Sequence, residues 1–190
     1  MMHRRQMMTA VAAASAGLIA ASTLGLSAAS AAAPAMGDAE MKHAKETATV
    51  GSLSLASSRM AVEKASDPMV KKFAGFEVAE QETIADILMS MKAAPDAAQG
   101  ALMKPTDADV EAMIDPAGKE ALAKLKGMSG ADFDKAYVTA QLDGHKKLLM
   151  IQEDYLKVGK VREHLDVAKL ARGMVKEHIV HLEDLQSKAG

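Results

Sequence analysis

The stretch Phe133–His145, FDKAYVTAQLDGH, decides how the rest of this chain is read. An α-helix advances about 100° per residue, so each residue can be placed on a face. Phe133 and Tyr137, continued by Leu148, Ile151 and Tyr155, form one side of a wide apolar arc, and Val138, Leu142, Leu149 and Leu156 form the other. Between them runs a polar stripe of Asp134, Gln141, His145 and Gln152, while Lys135, Asp143, Lys146, Asp154 and Lys157 fall opposite. The spacing predicts a long amphipathic helix from about Ser129 to Val158. Ser129 and Asp132 are spaced as a capping box, and Gly159 breaks the helix. The polar stripe sits where a core ought to be apolar.

Three further long helices are predicted. A weakly patterned one runs from an N-cap at Asp38 to about Ala65, with Ala44, Ala48, Leu55 and Val62 at helical spacing. Ser66-Asp67-Pro68 then sets an N-cap at Asp67 with proline at the first helical position. The second helix runs on to about Ala94 with Met69, Phe73, Phe76, Ile84, Ile87, Leu88 and Met91 on its apolar face. Short helices start at Thr106 and at Asp115-Pro116, the latter ending at Gly127. The fourth long helix spans about Val161 to Lys188 and buries Val167, Ala171, Met174, Val175, Leu182 and Leu185. Four long amphipathic helices with one long connection describe an all-α, up-and-down four-helix bundle, with the short helices between its second and third long members.

The polar stripe is not confined to one helix. Glu77, Glu80 and Gln81 fall in the apolar arc of the second helix. On the fourth, His178 lies at the centre of the buried face, His164 near it and His181 at its edge. A buried charge is costly unless it is paired or bound to metal. These groups therefore either satisfy one another in a buried polar network, with Gln81, Asp134, Gln141 and His164 as members, or converge on an ion. For an ion, Glu77, Glu80, His145 and His178 are the candidate ligands, and iron, manganese, zinc and copper are the candidate metals.

Composition narrows the function classes. The chain is 190 residues long, 49% hydrophobic and only 3% aromatic, so Ala, Leu, Met and Val must fill its interior, and these favour helices over sheet. A net charge of −2 without a basic run argues against nucleic acid as a partner. The lack of cysteine excludes disulfides, thiolate metal sites and a thiol nucleophile. Most of the methionines lie at core spacing. There is no phosphate loop, Gly-x-Ser-x-Gly or His-Glu-x-x-His, so no catalytic residues are assigned and the chain is read as a non-enzyme.

The N-terminus reads as an export signal. Arg4 and Arg5 precede a small-residue apolar run from about Met7 to Leu26, and Ala29-Ser30-Ala31 supplies a cleavage site. Residues 1–31 are read as a cleavable leader, 32–37 as a flexible N-terminus and 38–188 as the bundle. The HRRQMMT run resembles a twin-arginine signal, and the destination is the periplasm or cell envelope. After cleavage no segment is long and apolar enough to span a bilayer. Pairing with a second copy through an amphipathic face, as a homodimer, stays open.

SDPMVKKFA, FDKAYVTAQLDGHKKLL and LARGMVKEHIVHLEDL resemble the ferritin-like family of exported bacterial proteins catalogued as domain of unknown function 4142, whose members are often labelled outer membrane proteins. The resemblance runs from about Ala44 to Leu185. It implies a ferritin-like bundle, an exported or envelope location and an envelope role linked to stress, with no established activity. His145 and His178 match the family's histidine positions. Where the family has an acidic residue followed by His on the second helix, this chain has Glu80-Gln81, and where it often has Glu on the first helix, this chain has Ser54 and Ala56. These departures argue against ferroxidase chemistry, which needs carboxylates from the first helix and paired Glu-x-x-His motifs.

Overall fold

The computed structural model describes residues 36–92 and 100–188. The leader, residues 32–35 and the expected end of the second helix at Ala94 lie outside the described residues. Six helices are found among those described, and no strand: α1 (Asp38–Lys64), α2 (Pro68–Ser90), α3 (Asp107–Met113), α4 (Pro116–Lys126), α5 (Gly130–Val158) and α6 (Arg162–Lys188). The four long helices are α1, α2, α5 and α6, and α3 and α4 are the short pair between them.

Local chemistry sets most of the boundaries. The Asp67 carboxylate accepts from the backbone N–H of Met69 at 2.6 Å, with Pro68 at the first helical position. Thr106 and Asp109 exchange capping bonds at the start of α3, and Asp115 accepts from the Gly118 N–H at 2.7 Å to start α4. Two expected caps are corrected. Gly37, not Asp38, occupies the N-cap of α1, because Glu40 reaches back to accept from the Gly37 N–H at 3.0 Å. The Ser129–Asp132 box does not form, since Ser129 makes no side-chain cap bond; α5 opens instead on Gly130 at φ 59°, a left-handed conformation that glycine tolerates.

Neighbouring long helices run antiparallel. Glu40 meets Tyr155 and Ser58 meets Tyr137 across α1 and α5, and His145 meets His178 across α5 and α6. Since α1 is antiparallel to both α2 and α5, α2 and α5 point the same way. The chain must therefore travel the length of the bundle between them, and α3 and α4 make this crossover packed along α1. α2 and α6 approach each other more loosely than the other neighbouring pairs.

The interior is layered. Phe73, Ala74, Phe133, Tyr137, Leu142 and Leu182 form one apolar cluster, and Ala44, Ile84, Leu88, Val167 and Ala171 form another. The polar residues of the arcs lie between and beyond them. Met69, Phe76 and Val62, expected on buried faces, are exposed at 58%, 57% and 36%. Met69 and Phe76 line a groove of about 360 Å³ at the loose α2–α6 seam, where no helix among the described residues covers them.

Candidate metal centre

The polar layer is built outward from Glu77, which α2 points into the bundle axis with no solvent exposure. One carboxylate oxygen, Oε1, accepts from the Ser54 hydroxyl of α1 at 2.5 Å. The other, Oε2, lies 2.9 Å from His178 Nδ1 on α6 and 3.2 Å from His145 Nε2 on α5. Those two ring nitrogens are themselves 3.2 Å apart. Three ligand-type atoms on three helices thus form one small triangle, with all separations within 4.8 Å.

The orientation of each ring is fixed from behind. His145 Nδ1 lies 2.8 Å from the Gln141 carbonyl, which can only accept, so this nitrogen carries the proton and a neutral ring turns the Nε2 lone pair inward. His178 Nε2 lies 3.2 Å from Glu80 Oε1, so Nδ1 faces the centre. The arrangement has the form of a ligating histidine whose outer nitrogen is held by a carbonyl or carboxylate. Glu80 does not share the inner point with the other three, because it meets the opposite nitrogen of the His178 ring. Phe73 closes the centre, edge-on to His178 with centroids 5.0 Å apart.

Charge is strongly redistributed here. Burial acts to raise the Glu77 carboxyl, but the His178 imidazole and the Ser54 hydroxyl, which donate to it, outweigh burial and hold the group below the usual carboxylate range. Burial likewise acts to lower His178, yet Glu77 and Glu80 on either side push it up to about 10. With no cation present, the His178 N–H is the proton that separates the Glu77 oxygen from the His145 lone pair.

The rest of the polar stripe divides among other tasks. Gln141 donates to Ser57 and Ser58 hydroxyls at 2.9 and 3.1 Å, and Ser58 pairs with Tyr137 at 2.8 Å. Asp134 clamps the α1–α2 turn, accepting from the backbone N–H groups of Ser66 and Asp67 and from the Ser66 hydroxyl. Gln81 is buried beside Gly51 without joining the centre, and His181 is exposed. His164 lies in a separate polar layer with His43, Thr47, Gln152, Tyr155 and Glu40. Glu40, His43, Thr47, Ser54, Ser57 and Ser58 of α1 and Glu82 of α2 are all buried, and reading α1 by its apolar residues missed its polar face. The usable signal was a polar stripe at three- and four-residue steps along α1.

Fold and site together define an all-α bundle protein with a buried carboxylate–imidazole centre. The chain belongs to the family described as Domain of unknown function (DUF4142), whose family model matches residues 25–185. It is also similar in fold to the crystal structure of a DUF305 protein from Streptomyces coelicolor, a protein described as secreted. The TM-score is 0.62 at 15% identity, over 80% of this chain and 94% of that one. No curated protein matches the sequence. No helix among the described residues is long and apolar enough to cross a membrane.

Proposed function

We propose that this protein is an exported, ferritin-like bundle of the periplasm or envelope that holds one divalent first-row transition ion through Glu77, His145 and His178. The observation that carries the proposal is the convergence of three electron-rich atoms, pairwise 2.9–3.2 Å apart, from three different helices. Metal–ligand bonds of about 2.0–2.1 Å place ligand atoms about 3.0 Å apart along an octahedral edge and about 3.4 Å along a tetrahedral one. Two imidazoles and one carboxylate suit zinc or ferrous iron. Glu80 and the Gln141 carbonyl act as the outer partners that aim the rings. Because Glu77 and His145 have essentially no exposure, the centre leaves little room for a substrate, which supports retention of an ion rather than turnover.

A second function is favoured by His178, whose two nitrogens already face two carboxylates: a purely structural buried ion-pair network. Elemental analysis and calorimetric titration of the exported protein separate the two. The metal function predicts about one divalent ion per chain, lost in Glu77→Ala and His145→Ala. A protein purified without stoichiometric iron, manganese, zinc or copper, and unchanged in stability when each is added, would leave only the network.

A further inference from the structure

The second polar layer holds a pair of buried histidines that the Glu77 centre does not use. His43 on α1 and His164 on α6 are 2% and 1% exposed. His43 Nε2 lies 2.7 Å from the Gln152 side-chain oxygen, which accepts its proton and leaves Nδ1 as the free lone pair of the neutral ring. Gln152 is in turn held by donating to Thr47 at 3.1 Å. The Tyr155 ring stacks on His43 with centroids 4.2 Å apart, fixing its plane. His43 Nδ1 faces His164 Nδ1 at 3.5 Å. That is at the long end for a hydrogen bond. It does fit two nitrogens on one ion, which lie about 3.4 Å apart at a tetrahedral angle and about 4 Å apart on a line, for bonds near 2 Å. His164 Nε2 is buried with no partner, so the contact with His43 is the only one that fixes this ring through its nitrogens among the described residues.

We propose that His43 and His164 form a second metal site, taking one cuprous ion between their Nδ1 atoms. Charge selects the ion. Both donors are neutral imidazoles, and no carboxylate reaches the point between them: Glu40 is committed to the Tyr155 hydroxyl and to the backbone N–H groups of Gly37 and Lys160. The Glu40 carboxylate of the same layer acts on both rings from beyond bonding distance and offsets one positive charge, so a monovalent ion is matched there and a divalent one keeps an unmatched charge. Copper also accepts imidazole at low coordination number. Access exists, because a groove of about 730 Å³ between α1 and α5 reaches both His43 and Tyr155. Gln152 is seven residues from His145 along α5, about 10.5 Å at 1.5 Å per residue, so this site is separate from the Glu77 centre and does not depend on it.

The test is anaerobic titration of the exported protein with cuprous ion against a chromogenic chelator. His43→Ala and His164→Ala should each weaken binding by about tenfold or more, with the exposed His181→Ala unchanged. Because either variant could unfold, the unmodified protein is also followed by nitrogen-15 NMR of its histidines. Cuprous ion should move the Nδ1 resonances of His43 and His164 and leave those of His145 and His178 in place. Nδ1 signals of His43 and His164 that stay fixed, folded variants that keep full affinity, or zinc displacing copper from this pair would each overturn the assignment.

Discussion

A carboxylate with no exposure must be matched by positive charge, and Glu77 is matched by His178 and held in place by the Ser54 hydroxyl. Removing it leaves a buried imidazolium with one partner fewer. Glu77→Ala in the metal-free protein should therefore cost about 3–5 kcal/mol of stability, read from urea denaturation midpoints. Glu77→Ala combined with His178→Ala should cost less than the sum of the two single changes, since the pair is coupled; strictly additive costs would contradict the contact. Glu40 makes a different prediction. Backbone bonding from Lys160 leads over the opposing effect of burial, and the Tyr155 hydroxyl and Gly37 N–H add to it, holding Glu40 at about 2 against an ordinary 4.5. A carboxyl lowered in the folded state contributes stability that is complete above about 4.5 and is lost as pH falls towards 2. Melting curves between pH 6 and pH 2.5 should show this loss, and Glu40→Gln should be less stable at pH 6 and less steeply dependent on acid. Equal acid slopes in the two proteins would remove Glu40 from that role.

At the scale of elements, Asp134 joins α5 to the turn between α1 and α2. Its carboxylate serves three donors there, so Asp134→Ala strands two backbone N–H groups in a partly buried turn. The expected loss is about 2–4 kcal/mol, with Asp134→Asn recovering part of it; a loss under about 0.5 kcal/mol would show that water replaces the clamp. Gly159 is required by close approach rather than by backbone angle. Its φ of −61° suits any residue, but a Cβ would overlap the Tyr155 ring that stacks on His43. Gly159→Ala should cost about 1–3 kcal/mol and perturb the His43 resonances, and unchanged resonances would mean that the ring yields freely. The same scale shows what the sequence made legible. α5 and α6 could be read because apolar and charged residues alternate with the helical period, which brought out His145 and His178. α2 was half legible, since Glu77 sits mid-arc whereas Met69 and Phe76 lie exposed at the α2–α6 seam. α1 resisted because its inward face is Glu40, His43, Thr47, Ser54, Ser57 and Ser58, residues that a hydrophobic count scores as solvent-facing. Their burial depends on partners more than 80 residues away, such as Gln141 and Gln152, and no local pattern reports those pairings.

Over the whole molecule, the bundle is two antiparallel pairs, α1–α2 and α5–α6, joined tightly where α1 meets α5 and loosely where α2 meets α6. The loose seam has a groove on its surface and the Glu77–His178–Glu80 contacts beneath. An ion held by α2, α5 and α6 together would therefore cross-link the two pairs on the side where packing is weakest. Such an ion binds the folded chain and has no assembled site in the unfolded one, so it stabilises by mass action: about 2.7 kcal/mol at a free concentration 100 times its dissociation constant. For a chain of this size each kcal/mol raises the melting temperature by about 2–4 °C, so saturating divalent ion should raise it by about 5–11 °C. The rise should vanish in Glu77→Ala and in His145→Ala. Amide hydrogen exchange should slow most in α2 around Glu77 and in α6 around His178, the two helices the ion would draw together. Ions bound at surface carboxylates would give a small rise that is the same in both variants, with no protection centred on that seam, and this outcome would remove the cross-link from the account of the fold.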